Sequence, residues 1–394
     1  MNRIVASRES RVARGRRLGA GALVLLLLSG PASRAAGQTS TCDQTGVTSL
    51  RASIQALLDS VVKARPDIAG VSVHVEAPKR CLSWSGAAGV SDRATGAKLT
   101  AAQPHRMASN TKTYVSAAIL RLYEEGKLGL DDPIPGLLST ESVEALRRGG
   151  YQPDAITVRH LLTHTSGIFD YAMTPAFQEA VFGSPNKRWT RDEQVRFAVD
   201  KGQPYGAPGT VFKYSDTGYI LLGEIIERKS GLPLAAALRT LLGYDRNGWK
   251  TTWLETLEPV PAGAPDRAHQ YLGEVDTYAF DPSFDLYGGG GLAANPRDMA
   301  AFTRALFEGK VFRKKETLDV MLSEPPVPAE RNYRYGIYTR LVGGVRAWGH
   351  TGFWNTFSFH FPEQDLTIAA SLTQQEKAGD AAGAVLVGIV ERVK

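Results

Sequence analysis

Ser109-Asn-Thr-Lys112 sets a hydroxyl and an amine three residues apart. On a helix, positions three apart return to one face, so the lysine amine can reach the serine oxygen. That is the chemistry of a nucleophile with its own proton acceptor. Burial or a cationic neighbour lowers an amine's pKa toward neutrality, and the free amine then takes the serine proton. A serine at a helix start also sits among unpaired backbone N–H groups, at the positive end of the helix dipole. Both favour negative charge on the serine oxygen and on an adjacent carbonyl oxygen.

The Ser-x-x-Lys pattern occurs three times, and only its context separates the copies. Ser60–Lys63 lies inside an amphipathic helix and reads as a solvated face. Ser184–Lys187 has Gly183 before it and Pro185-Asn186 inside it, and reads as a turn. Ser109–Lys112 opens a helix whose apolar residues Val115, Ala118, Ile119 and Leu122 repeat at helical spacing up to Gly126.

Two further sets accompany it. Tyr214-Ser-Asp216 follows the Gly/Pro-rich Gly206–Thr210 and precedes an apolar helix from Gly218 to Lys229. A phenol near an ammonium can exchange protons near neutral pH. His350-Thr351-Gly352 lies between strand-like segments.

In that order, these three sets resemble the three motifs of the penicillin-recognising serine hydrolases: class C β-lactamases, D-alanyl-D-alanine carboxypeptidases and related esterases. Ile156–Gly167 and Gly288–Leu292 are similar to that family's linking segments, so the resemblance runs over about residues 48–394. It implies Ser109 as nucleophile, with Lys112 and Tyr214 as proton carriers. It further implies that the Ser109 and Phe353 amides form an oxyanion hole, and that His350 and Thr351, on a sheet edge with Gly352, hold the substrate or its carboxylate. Asp216 departs from the pattern, where the family has asparagine. An asparagine amide donates to a substrate carbonyl, whereas an ionised aspartate only accepts. Asp216 would therefore repel a carbonyl or carboxylate unless it pairs with Lys112 or stays protonated. The expected enzyme is a serine hydrolase forming an acyl-enzyme on an ester, amide or D-amino-acid peptide, with weak or no β-lactam turnover. The alternatives are a β-lactamase or carboxypeptidase proper, or a non-catalytic module binding cell-wall fragments.

Other signals point elsewhere and are weaker. His160 and His164 have the spacing of two zinc ligands on one helix face, but no Glu follows His160 and no third ligand is evident. No metal or cofactor is expected. The tetraglycine 288–291 is read as a tight loop leading to a helix capped by Asn295-Pro296, not as a dinucleotide site. A Gly-x-Ser-x-Gly elbow is absent, while a scattered Ser-His-Asp triad leaves no local signature to read.

The elements that must position these residues fall into an α+β arrangement. A helix is expected over Ser49–Ala64, stopped by Pro66, then strands at Val71–Val75 and Cys81–Ser85. Residues 105–324 read mainly as helices. Tyr333–Arg340, Val345–Trp348, Thr356–Phe361 and Leu366–Leu372 read as strands, and Ala381–Val393 as a final helix. Short connections make such strands antiparallel. The expectation is one domain, 38–394, in which 38–104 and 325–394 form the sheet region and 105–324 an inserted helical lobe. The cleft between them would hold the site.

Residues 1–37 carry seven Arg, one Glu, a short apolar run Ala20–Leu28 and small residues at Ala35-Ala36-Gly37. This is the order of a secretory signal peptide, an uncleaved anchor being the alternative. Their net +6 equals that of the whole chain, so the remainder is near neutral and gives no support to nucleic-acid or anionic-membrane binding. A secreted or periplasmic enzyme with a small-molecule or peptide substrate follows, with no stable membrane span after cleavage and an oligomeric state left open. Cys42 and Cys81 either form one disulfide in an oxidising compartment or stay as two buried thiols.

Overall fold

The computed structural model describes residues 42–394; residues 1–37, read above as a signal peptide, lie outside the described residues. Helix α1 (Gln44–Ala64) starts earlier than its apolar period suggests, because the Asp43 side chain accepts the Thr45 N–H and caps it. It buries Val47, Ile54, Leu58 and Val61. Strands β1 (Gly70–Ala77) and β2 (Leu82–Gly89) follow as a hairpin. A disulfide joins Cys42, before α1, to Cys81 in the turn of that hairpin.

The chain then enters its helical part. This opens with β3 (His105–Arg106), α2 (Thr111–Glu124), α3 (Thr140–Arg148) and α4 (Val158–Leu162). Next come α5 (Pro175–Gly183), α6 (Arg191–Lys201), α7 (Asp216–Ser230), α8 (Leu234–Leu242) and α9 (Tyr244–Asn247). Short strands β4 (Trp253–Leu254), β5 (Tyr271–Leu272), β6 (Val275–Asp276) and β7 (Leu292–Ala294) precede α10 (Pro296–Phe307) and α11 (Lys315–Leu322). The chain returns through β8 (Tyr338–Val342), β9 (Val345–Gly352), β10 (Thr356–Phe361), β11 (Leu366–Leu372) and α12 (Gly379–Val393).

β1 and β2 from one end of the chain and β8–β11 from the other form a single antiparallel sheet, ordered β2-β1-β11-β10-β9-β8. Alternation along the strands sorts its two faces. Val71, Val73 and Val75 join Ile368, Ala370 and Leu372 in a core with α1 and α12. Ser72 and His74 point to the opposite face, where Ser358 on β10 bonds Thr303 of α10 at 2.6 Å. A second core lies in the helical part around α2 and α7. Each fully buried large apolar side chain in these cores contributes about 1.5–3 kcal/mol by leaving water.

The segment 105–324 is mainly helical but not free of strands: β3, β7 and β4 form a small sheet, and β5 pairs with β6. Two- and three-residue strands are too short to show an alternating pattern. One expectation needs correction: Tyr333–Arg340 is not one strand, since strand structure begins only at Tyr338. Gly336, at φ +73°, turns the chain back so that Tyr333 bridges Tyr338. A Cβ at Gly336 would lie 2.3 Å from the Ser116 Cβ, so only glycine lets this turn pass α2.

Candidate active site

Ser109 sits in a single 3-10 turn, Ala108–Asn110, that runs into α2. Ala108 holds φ +45°, a conformation that costs a non-glycine residue energy and that surrounding contacts must enforce. Those contacts are visible. Asn110 Nδ2 donates to Thr356 Oγ1 at 2.9 Å and to the Met107 carbonyl at 3.2 Å, and Thr356 Oγ1 donates to the same carbonyl. The turn is thus fastened to β10.

α2 is buried all round from Thr111 to Leu122, as a helix at the centre of a lobe must be. Lys112 is consequently 0% exposed. Its Nζ donates to Ser109 Oγ at 3.0 Å, to the Gly289 carbonyl at 2.5 Å and to Asp216 Oδ1. An ammonium has three N–H groups, and these three acceptors match them. Burial pushes the lysine pKa down, but the charge of Asp216, the nearby phenol of Tyr214 and the hydrogen bond donated to Asp216 outweigh it, and the net shift is upward. This reverses the expectation of an amine lowered toward neutrality: Lys112 rests as an ammonium.

Ser215 N-caps α7, and this places Tyr214 just before the helix and Asp216 in its first turn. The Tyr214 hydroxyl stands within hydrogen-bonding reach of Ser109 and Lys112. Burial pushes its pKa up, more than the lysine charge pulls it down. His350, Thr351 and Gly352 end β9, beside the turn that carries Ser109. A Cβ on Gly352 would come 2.2 Å from the Met107 carbonyl, so the strand can lie this close to Ser109 only with glycine there. His350 Nδ1 faces the Thr351 carbonyl at 2.6 Å; that oxygen only accepts, so Nδ1 carries the proton. Thr351 Oγ1 accepts from Tyr338 at 2.9 Å, leaving its own O–H free to donate.

All three sets open on one cavity of about 450 Å3. Ser109, Tyr214, Asp216, His350, Thr351, Gly352 and Phe353 line it together. Lys112 lies behind that wall, reaching it through Ser109. Cys42 and Cys81 lie apart from it, in the disulfide at α1. Ser60 and Ser184 are not among the lining residues either. Ser60 bonds its own helix at the Leu57 carbonyl, and Ser184 ends α5.

Other residues reach the site without a motif to announce them. Asp170 Oδ1 accepts the Asp216 N–H at 3.1 Å, and burial with the charge of Asp216 raises its pKa to about 7. Asp285 lines the cavity, and burial with the same charge raises it to about 7. The tetraglycine loop explains itself here. A Cβ on Gly288 would meet the Tyr219 carbonyl at 2.4 Å and one on Gly290 would meet Asp285 at 2.0 Å, so glycines let the chain thread between α7 and Asp285. That path delivers the Gly289 carbonyl to Lys112.

His160 and His164 do not share a helix face. His160 closes a capping box with Thr157, and His164 follows the end of α4 at φ +57°. The His164 carbonyl accepts the Lys213 N–H at 2.9 Å, and its Nδ1 accepts the Ser215 N–H at 3.1 Å. Its ring lies against Tyr214, centroids 4.1 Å apart. Burial, the Lys112 charge and His350 hold its pKa well below the ordinary histidine value, so it is a neutral clamp on both sides of Tyr214.

Comparison with known proteins gives the same outline. The Beta-lactamase family model matches residues 58–389. Esterase EstB of Burkholderia gladioli is 30% identical over 215 residues, 53% of each chain. Penicillin-binding protein 4* of Bacillus subtilis is 27% identical over 53% of this chain and 46% of its own. The chain thus spans about half the length of the curated relatives it matches. Among solved structures, D-amino acid amidase from Ochrobactrum anthropi SV3 superposes with a TM-score of 0.74 at 24% identity, over 88% of this chain and 98% of that one. A D-stereospecific amidohydrolase from Streptomyces sp. superposes with a TM-score of 0.71 at 26% identity, over 85% and 97%.

Proposed function

The chain belongs to the beta-lactamase family, and on that footing we propose that it is an exported serine hydrolase that forms an acyl-enzyme at Ser109. The observation that carries this reading is the 3.0 Å contact between Ser109 Oγ and Lys112 Nζ at the wall of an open cavity. Because Lys112 rests as an ammonium, the serine proton moves by relay. Lys112 passes one proton to Asp216 as it accepts the one from Ser109, and the serine oxygen attacks the substrate carbonyl carbon. The carbonyl oxygen gains negative charge in the field of the α2 N-terminus, with the amides of Ser109 and Phe353 as its donors. Collapse of that intermediate expels the leaving group, which takes a proton through Tyr214 or Lys112. Water then repeats the sequence on the acyl-enzyme.

Esters, amides and D-amino-acid peptides are the substrate classes supported. Resemblance to an esterase and to D-amino acid amidases favours them. Asp216 works against a β-lactam, since it offers a substrate carbonyl only acceptors. Export to the periplasm or beyond accords with the basic, then apolar, N-terminal segment. The test pairs wild type with Ser109→Ala against a chromogenic ester and a fluorophosphonate probe, read by turnover and intact mass. One adduct on wild type and none on the variant is expected. Unchanged turnover by Ser109→Ala would sink the proposal, and a binding module without catalysis would show no adduct at all.

A further inference from the structure

The cavity in front of Ser109 has a one-sided charge. Its walls are mostly apolar and aromatic, with Phe177, Phe182, Phe280, Phe284 and Trp354 prominent. Three carboxylates share them: Asp216 and Asp285 inside, and Glu330, which is exposed. No lysine or arginine lines the cavity among the described residues. The two cations behind the wall are already taken. Lys112 is held by Asp216, Ser109 and Gly289. Arg106 is held by Glu255 at 3.0 Å and by the carbonyls of Thr277 and Phe280. Asp285 has no hydrogen-bond donor and no cation within bonding distance among the described residues.

We propose that this site takes an acyl group bearing a protonated amine beside a bulky apolar side chain, that Asp285 receives the amine, and that substrates with a carboxylate at that position are turned away. The inference rests on the serine-hydrolase reading and sharpens it. Asp285 is a half-buried carboxylate without a partner on a mostly apolar wall, and a bound ammonium would supply the missing charge and donors together. The shift of Asp285 to about 7, from burial and the nearby Asp216, marks the same deficit. A substrate carboxylate would instead add a further negative charge to walls where, among the described residues, only the His350 ring could answer it, and that ring already meets Tyr333 and the Thr351 carbonyl. The aromatic surface gives the apolar part of such a substrate its own area to bury.

Three methyl esters that differ in one substituent decide the matter: phenylalanine methyl ester (either enantiomer), methyl 3-phenylpropanoate and monomethyl benzylmalonate. They carry an ammonium, a hydrogen and a carboxylate on the same carbon. At low ionic strength and near pH 7, where a bound ammonium draws the Asp285 carboxyl into its charged form, kcat/KM should fall in that order, with about 10-fold or more between ammonium and hydrogen. Asp285→Asn should narrow that ratio, and Asp285→Glu, which keeps the charge, should retain part of it. Fluorophosphonate labelling of Ser109 reports on folding in each variant. A flat series, or a carboxylate ester hydrolysed best, with Ser109 still labelled, overturns the inference and leaves the hydrolase reading standing. If Asp285→Asn does not fold, the wild-type series alone gives the answer. Failure of Ser109 to label in wild type removes both.

Discussion

The Lys112 ammonium and the Asp216 carboxylate form a buried ion pair beside the oxygen of Ser109. They lie 104 residues apart, one in the first turn of α2 and the other in the first turn of α7. The family's asparagine could not do this, since an amide brings no charge to balance a lysine that is fully buried. The departure at position 216 therefore changes the resting state of Lys112 as well as what the site offers a substrate.

Asp216→Asn should destabilise the protein by about 3 kcal/mol, because it leaves a buried ammonium with neutral acceptors only. Burial then dominates, and the Lys112 pKa should fall. Urea unfolding measures the first effect. Covalent labelling by a fluorescent penicillin, weak or absent in wild type, should rise in the variant because the amide can now donate to a carbonyl. No gain in labelling would count against the role given to Asp216.

Stability should also fall as pH rises through the neutral range. Asp285 moves from an ordinary 3.8 to about 7 on folding, so the folded protein holds a proton the unfolded chain has released between those values. That contribution is fully present below about pH 4, and it is lost as pH rises through 7. Asp170 adds to it in the same direction. Thermal melts from pH 4 to 8 should show a flatter decline for Asp285→Asn than for wild type, and parallel curves would refute the assignment.

What could be read from sequence tracks how local each relationship is. Ser109 and Lys112 are three residues apart, and helix periodicity alone places them together. The same holds for α1, the main strands and the Asn295 cap of α10, where period or capping chemistry is written in adjacent residues. Tyr214 and His350 have no local signature and were legible only through resemblance to a family. Asp170 and Asp285 have neither, and the resemblance of Gly288–Leu292 gives the Gly289 carbonyl no role, because these contributions depend on distant segments meeting. The direction of the lysine shift is hidden from sequence for the same reason. Burial of α2 is visible in its apolar residues, but the sum of burial and Asp216 is decided only when α7 docks.

One wall of the cavity should depend on a buried charge cluster that touches no substrate. Glu255 accepts from Arg106 at 3.0 Å and from Arg267 at 3.2 Å, all three nearly inaccessible. Arg106 in turn holds the Thr277 and Phe280 carbonyls, whose side chains line the cavity. Burial and the charge of Arg106 already lower the Arg267 pKa to about 10, with Glu255 opposing. Glu255→Gln leaves two guanidiniums buried without a counter-ion, so a loss of about 3–5 kcal/mol is expected. A raised KM should accompany it, and a melting temperature equal to wild type would contradict the cluster's role.

His164 should set the rate through Tyr214 without meeting the substrate. Its carbonyl and its Nδ1 take the N–H groups on either side of Tyr214, and its ring backs the phenol. Asparagine tolerates the φ of +57° at this position and offers a carbonyl oxygen to Ser215 N–H, whereas leucine tolerates neither the backbone nor the missing acceptor. His164→Leu strands a buried N–H, which costs about 1–3 kcal/mol, and it frees Tyr214 to move. A shift of about 1 Å in such a group can cost about 100-fold in rate. His164→Leu should therefore lose about 100-fold in kcat, and His164→Asn should recover much of it, with KM little changed in both. A purely structural histidine would show equal kcat in the folded fraction of all three proteins, and active-site titration with the fluorophosphonate supplies that fraction.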